Sequence, residues 1–108
     1  MLGETGGVID VTASGYLISR TINLIPNAIT QYPETRVFHI HLVSSSTASV
    51  ITISNGQGGT IFIKETGSFS TGADFDYGLI GVTFPLGAYV TVDGNIVSAA
   101  ITCKADKF

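Results

Sequence analysis

His39 and His41 are the only two histidines of the chain, and one residue separates them. In a strand, a side-chain period of two puts both imidazoles on one face, where they could offer two nitrogen ligands to a metal ion. Two ligands do not close a coordination shell, and spacing assigns no third. A threefold axis could gather six, but only once a trimer exists. The pair is therefore read as outward-facing or interface side chains, with no metal and no cofactor expected. Asp74 and Asp76 repeat the spacing with carboxylates, between Gly72 and Gly78. Hard cations take such oxygens on flexible loops, but the closing glutamate of a calcium loop is missing. That segment reads as a solvated acidic turn.

Nucleophilic catalysis needs a nucleophile, an adjacent base and a group to orient the base. Ser44, Ser45 and Ser46 follow His41 closely, but in a run of small polar residues that reads as a turn. No Gly-x-Ser-x-Gly elbow occurs, and the eight acidic residues single out no glycosidase pair. Gly56-Gln57-Gly58-Gly59 lacks the Gly-Lys-Ser/Thr ending of a phosphate loop and would join two strands. Cys103 is the single cysteine, so no internal disulfide forms; alternation places it with Val97, Ala99 and Ile101, as a buried inert thiol. Tyr16, Tyr32, Tyr77 and Tyr89, with Phe69 and Phe75, could present rings to a sugar, but tryptophan is absent. The expectation is a protein that is not an enzyme, with no catalytic residues.

Composition narrows the class further. The 108 residues suit one domain. Net charge is -3, with basic residues scattered, which argues against nucleic acid as partner. The apolar runs are short of the roughly 18 residues of a membrane span, and no charged-then-apolar leader is visible, so neither membrane nor signal peptide is expected. Charged residues make up 12%, against about 25% in ordinary soluble domains, and mean hydropathy is +0.43. Such a surface is sticky unless partners cover it, so association is expected.

The elements that carry these groups read as strands. Thirteen Ile, nine Val and thirteen Thr supply branched Cβ atoms that fit a pleated surface, and glycines separate the apolar runs. A flexible arm over 1–7 precedes strands near 8–12, 16–25, 36–43, 48–54, 60–65, 79–84, 88–92 and 96–103. Loops fill 26–35 and 66–78, and residues 104–108 form a frayed tail. Asn55-Gly56-Gln57-Gly58-Gly59 closes a hairpin with Ile51 and Ile53 together on its first strand and Ile61 and Ile63 on one face of its second, and Asp93-Gly94 has type I′ turn chemistry. Alternation assigns Phe38, Ile40, Leu42, Ile80, Val82, Phe84, Val90, Val92, Val97 and Ile101 to the core, and Val37, Val43, Thr83, Tyr89 and Thr91 to outer faces. The fold class is all-β: one antiparallel β-sandwich of about eight strands over 8–103, jelly-roll or immunoglobulin-like.

Two segments carry a resemblance. Gly3-Glu4-Thr5-Gly6-Gly7-Val8-Ile9-Asp10-Val11-Thr12-Ala13-Ser14-Gly15 and Gly81-Val82-Thr83-Phe84-Pro85-Leu86-Gly87-Ala88-Tyr89-Val90-Thr91-Val92-Asp93-Gly94 together resemble short virion proteins of tailed bacteriophages. The resemblance implies a capsid cement or decoration protein of β-sandwich type, assembled in the host cytoplasm and resident on the virion. It would bind the major capsid protein and form a homotrimer. The alternative is a carbohydrate-binding, tail-fibre or tail-connector module. No catalytic residue is carried over, and the segment around His39 and His41 matches no motif.

Overall fold

The computed structural model describes residues 5–17, 20–24, 27–31, 34–45, 47–67 and 72–105. Among them there is no helix, and the strands are β1 (Thr5–Val11), β2 (Gly15–Tyr16), β3 (Arg20–Leu24), β4 (Asn27–Gln31), β5 (Thr35–Ser44), β6 (Ser49–Asn55), β7 (Ile61–Gly67), β8 (Ala73–Asp76), β9 (Val82–Phe84), β10 (Ala88–Val92) and β11 (Ile96–Ala105). The chain pairs from its ends inward. β1 lies antiparallel to β11, β2 to β10, β5 to β8 and β6 to β7. Each pair is enclosed in sequence by the one before, the pattern of a single long hairpin. Rolling that hairpin lays β11 on β5 and β10 on β6. Alternate pairs then fall into two sheets, β1-β11-β5-β8 and β2-β10-β6-β7. The arrangement is a jelly roll, and it excludes the immunoglobulin-like order. β9 adds to the edge of β5 beside β8, and β3–β4 is a separate hairpin inserted between β2 and β5.

Both sheets give one face to a shared core. Val37, Ile40, Leu42, Ile51, Ile53, Phe84, Val90, Ala99 and Ile101 are fully buried, with Ile63, Ala88 and Cys103 close behind. Each buried Ile or Val contributes about 1.5–3 kcal/mol. Val82 and Val92 pack against this cluster only partly buried. Three expected faces are wrong, each at a bulge, where one extra residue reverses the alternation. On β5, Val37 and His39 oppose Cys103 and Thr102, consecutive residues of β11, so Phe38 is the extra residue and Val37 turns inward in its place. On β11, Ile96 and Ser98 oppose Ser44 and Val43, so Val97 is displaced and is 55% exposed while Ile96 packs inward. On β7, Ile53 and Ser54 oppose Ile63 and Ile61, which leaves Phe62 as the extra residue and separates the two isoleucines: Ile63 is buried, Ile61 exposed.

Other boundaries move as well. The expected strand over 16–25 ends after Tyr16 and resumes as β3; the loop over 26–35 contains β4, and that over 66–78 contains β8. Ile80 is 77% exposed because Gly78 and Gly81, at φ of 80° and 72°, fold 78–81 into a turn before β9. Asp93-Gly94 does not close a hairpin, since β10 and β11 lie in different sheets. Gly94 is not left-handed as a type I′ turn would require. The Asp93 carboxylate instead accepts from Asn95 N at 2.9 Å and from Val50 N at 2.9 Å, tying the crossover to β6. Residues 5–7 of the expected arm belong to β1, and Lys104 and Ala105 of the expected tail belong to β11. Residues 1–4 and 106–108 lie outside the described residues.

Where β5 leads to β6 the sheets approach closely, and the contact is polar. Ser44 Oγ and Ser49 Oγ are 2.7 Å apart and fully buried. Gly67 of β7 fits there because it has no side chain: a Cβ would stand 2.5 Å from Leu42 Cδ2 and 2.7 Å from Ser44 Oγ. At the open edge, Tyr77 Oη donates to Glu65 at 2.7 Å, joining the end of β8 to β7. Burial and the neighbouring carboxylate both push the Tyr77 phenol up, so it stays a donor.

Two stability outcomes are expected in urea denaturation. Phe84→Ala, at a fully buried ring, costs about 3–5 kcal/mol. Ser49→Ala strands the Ser44 hydroxyl and costs about 1–3 kcal/mol. The Ser44→Ala/Ser49→Ala double variant loses less than the two single losses added, because no unsatisfied hydroxyl remains.

Candidate functional site: a histidine pair on one carboxylate

β5 is the strand that exposes chemistry. With the register reset at Phe38, Ile40 and Leu42 point inward while His39 and His41 share the outer face of their sheet. The acidic pair lies beside them, in β8 rather than in a loop. Asp74 is opposite His41 and Asp76 opposite His39. Period two explains the strand: Phe75 packs against the core, so its two carboxylate neighbours must face out.

Both imidazoles converge on one atom. His41 Nδ1–H donates to Asp74 Oδ1 at 2.8 Å, and His39 Nε2–H reaches diagonally across the ladder to the same oxygen at 3.0 Å. Asp76 turns aside and accepts from Gly78 N at 3.0 Å, capping the turn that follows. The Asp74 carboxyl is held below its usual range, first by the His41 hydrogen bond and then by that of His39, with slight burial opposing. Gly72, at φ +79°, lies under the His41 ring, where a Cβ would stand 3.1 Å from Cε1. A side chain there would strain the backbone and push the ring off Asp74.

The other candidates do not join this cluster. The Ser44 hydroxyl is on the opposite face of β5 from His41 and is committed to Ser49. Ser45 Oγ accepts from Thr47 N, and Ser46 lies outside the described residues. Each histidine meets a carboxylate rather than a hydroxyl, so among the described residues the base-plus-nucleophile arrangement of acyl transfer is not assembled. Cys103 is buried on the inner face, and desolvation raises its thiol to about 11, too high for a nucleophile near neutrality. Tyr16 and Tyr89 meet edge-on in the other sheet, ring centroids 5.0 Å apart, with Gln57 N donating to Tyr16 Oη at 2.8 Å. Tyr32 and Phe69 lie outside the described side chains. The same-face histidines are readable from sequence; Asp74 as their common partner is not, because it arrives through a ladder 33 residues away.

The lowered carboxyl fixes a sign for pH dependence. A group whose folded pKa lies below its unfolded value stabilises the fold above the unfolded pKa, and loses that effect as pH falls through the folded one. Asp74→Asn is therefore expected to lower Tm near neutral pH. The gap to the unsubstituted protein should close in acid, below the usual carboxylate pKa of about 4; thermal melts across a pH series check this.

No protein-family model matches the chain, and neither a curated protein nor a solved structure matches it.

Proposed function

We propose that this chain is a non-enzymatic structural protein of a tailed-phage virion, a capsid cement or decoration protein that bridges neighbouring capsomers. The observation that carries the reading is what the surface is made of. With only five basic and eight acidic side chains in the chain, large apolar groups stand in solvent: Leu79 at 100%, Ile80 at 77% and Leu86 at 64%, with Val8 and Ile61 also exposed. Leu79, Ile80 and Leu86 stand in turns and Ile61 at the start of β7, while Val8 lies within β1. Asn55 Oδ1 accepts from Leu86 N at 2.8 Å, which holds the 85–87 turn against the end of the β6–β7 hairpin, where Ile61 and Phe62 begin β7.

A cement protein adds apolar contact across joints that internal pressure pulls apart. Burial contributes roughly 25 cal/mol per Å², of which only the excess over association costs appears as affinity. The jelly roll is compatible with this role, since viral capsid domains use it, but lectin domains use it too. The Tyr16–Tyr89 pair beside Gln57 is the feature that favours the second reading, a carbohydrate-binding or tail-fibre module. The proposed assembly is a homotrimer on the major capsid protein; closed symmetry would cover edge strands without growth into filaments.

Electron microscopy of the parent particle separates the two readings. Density spread over the head supports the cement role, and density confined to the tail defeats it. Leu79→Asp/Ile80→Asp is expected to leave the circular dichroism spectrum unchanged, because both side chains are outside the core. The same variant should weaken binding to heads lacking the protein by about tenfold or more, the equivalent of roughly 1.4 kcal/mol. Undiminished binding would remove the apolar turn from the interface.

A further inference from the structure

The geometry points to a transition-metal site on the outer face of β5, with His39 and His41 as its two nitrogen ligands and Asp74 supplying an oxygen. The residues are two apart on one strand, so their backbones are separated by about 6.6 Å along it, close enough for two imidazoles to share one ion. That both rings can reach one point is already visible: His39 Nε2 and His41 Nδ1 lie 3.0 and 2.8 Å from the single atom Asp74 Oδ1. Metal–imidazole bonds are about 2.0–2.1 Å, so each nitrogen must come about an ångström nearer a common centre. Both side chains are partly exposed, 35% for His39 and 47% for His41, and are free to make that rotation.

Among the described residues no three such side chains stand as a ready-made ion cage. The ion instead enters between the two ring nitrogens, and Asp74 Oδ1, on which both N–H groups now converge, draws back by about 2 Å to ligand distance. Each imidazole then offers a lone pair where it now offers an N–H, the proton passing to its other ring nitrogen or to water. Asp74 Oδ1, already between the rings, becomes the third donor, and water completes the shell on this open face. Asp76, opposite His39 in the ladder, places a second carboxylate on the same face. Two imidazoles and a carboxylate select Zn²⁺, Cu²⁺ or Ni²⁺ over Ca²⁺ and Mg²⁺, which prefer all-oxygen shells. The inference does not rest on the virion role, since it concerns the isolated chain.

Calorimetric titration of the purified full chain with ZnCl₂ tests it, alongside Cu²⁺ electron paramagnetic resonance to count coordinated nitrogens. One Zn²⁺ per chain is expected, and Cu²⁺ should report two imidazole nitrogens. His39→Ala and His41→Ala should each weaken Zn²⁺ binding about tenfold or more, Asp74→Asn by less. CaCl₂ should give no saturable heat. Circular dichroism confirms that the variants fold, as outward-facing residues allow. Absence of saturable Zn²⁺ binding up to millimolar ion overturns the inference. So does binding that survives in the His39→Ala/His41→Ala double variant, which would place the ion elsewhere on the chain.

Discussion

β5 is paired along both of its edges, to β11 on one side and to β8 and β9 in succession on the other, so its pleat is not free to slip. A one-residue shift would carry Ile40 and Leu42 into water and bring two imidazoles into the core. The bulge at Phe38 falls where the edge partner changes from β9 to β8, and the Phe38 carbonyl accepts from Tyr77 N at 2.8 Å at that junction. One extra residue thus lets two apolar stretches of different phase, Val37 and then Ile40–Leu42, both point inward. The same reset fixes the outward pair above Asp74. Core packing and the polar cluster are two faces of a single constraint.

The all-β class was legible because branched residues and period-two runs agree over most of the chain. The centres of β5, β6, β10 and β11 fall where alternation puts them. What alternation cannot contain is a bulge. Phe38, Phe62 and Val97 are apolar residues with apolar neighbours, so either phase looks acceptable locally, and only the partner strand decides. β8 was illegible for a related reason. Ala73–Asp76 is short and glycine-flanked, with a single inward aromatic, Phe75, and is a strand only because β5 offers it an edge.

The polar cluster divides the same way. That His39 and His41 share a face follows from spacing within one strand. That a carboxylate bridges them depends on register between strands far apart in sequence, which composition and motif do not encode. The contrast with the apolar turns is instructive. Leu79 and Ile80 fall within an extended stretch of the sequence and Leu86 just after it, yet the positive-φ glycines around them expel them from the sheet. In both cases a short-range pattern names the residue types correctly, and the fold decides which way they look.

Pairing from the ends inward bears on the birth of the molecule. Asp10 and Ser98, joined side chain to side chain at 2.9 Å, are 88 residues apart. During synthesis at about 5–20 residues per second, β1 waits roughly 4–18 s for β11 to appear. Meanwhile β6 and β7, joined by a five-residue connection between Asn55 and Ile61, can close at little entropic cost. A nascent chain therefore spends seconds with Gly7-Val8-Ile9-Asp10-Val11 as an unpaired β-segment, the kind of template that recruits another chain. Asp10, the fourth of these five residues, is the only formal charge in that stretch. A charge at such a position disfavours pairing with another chain.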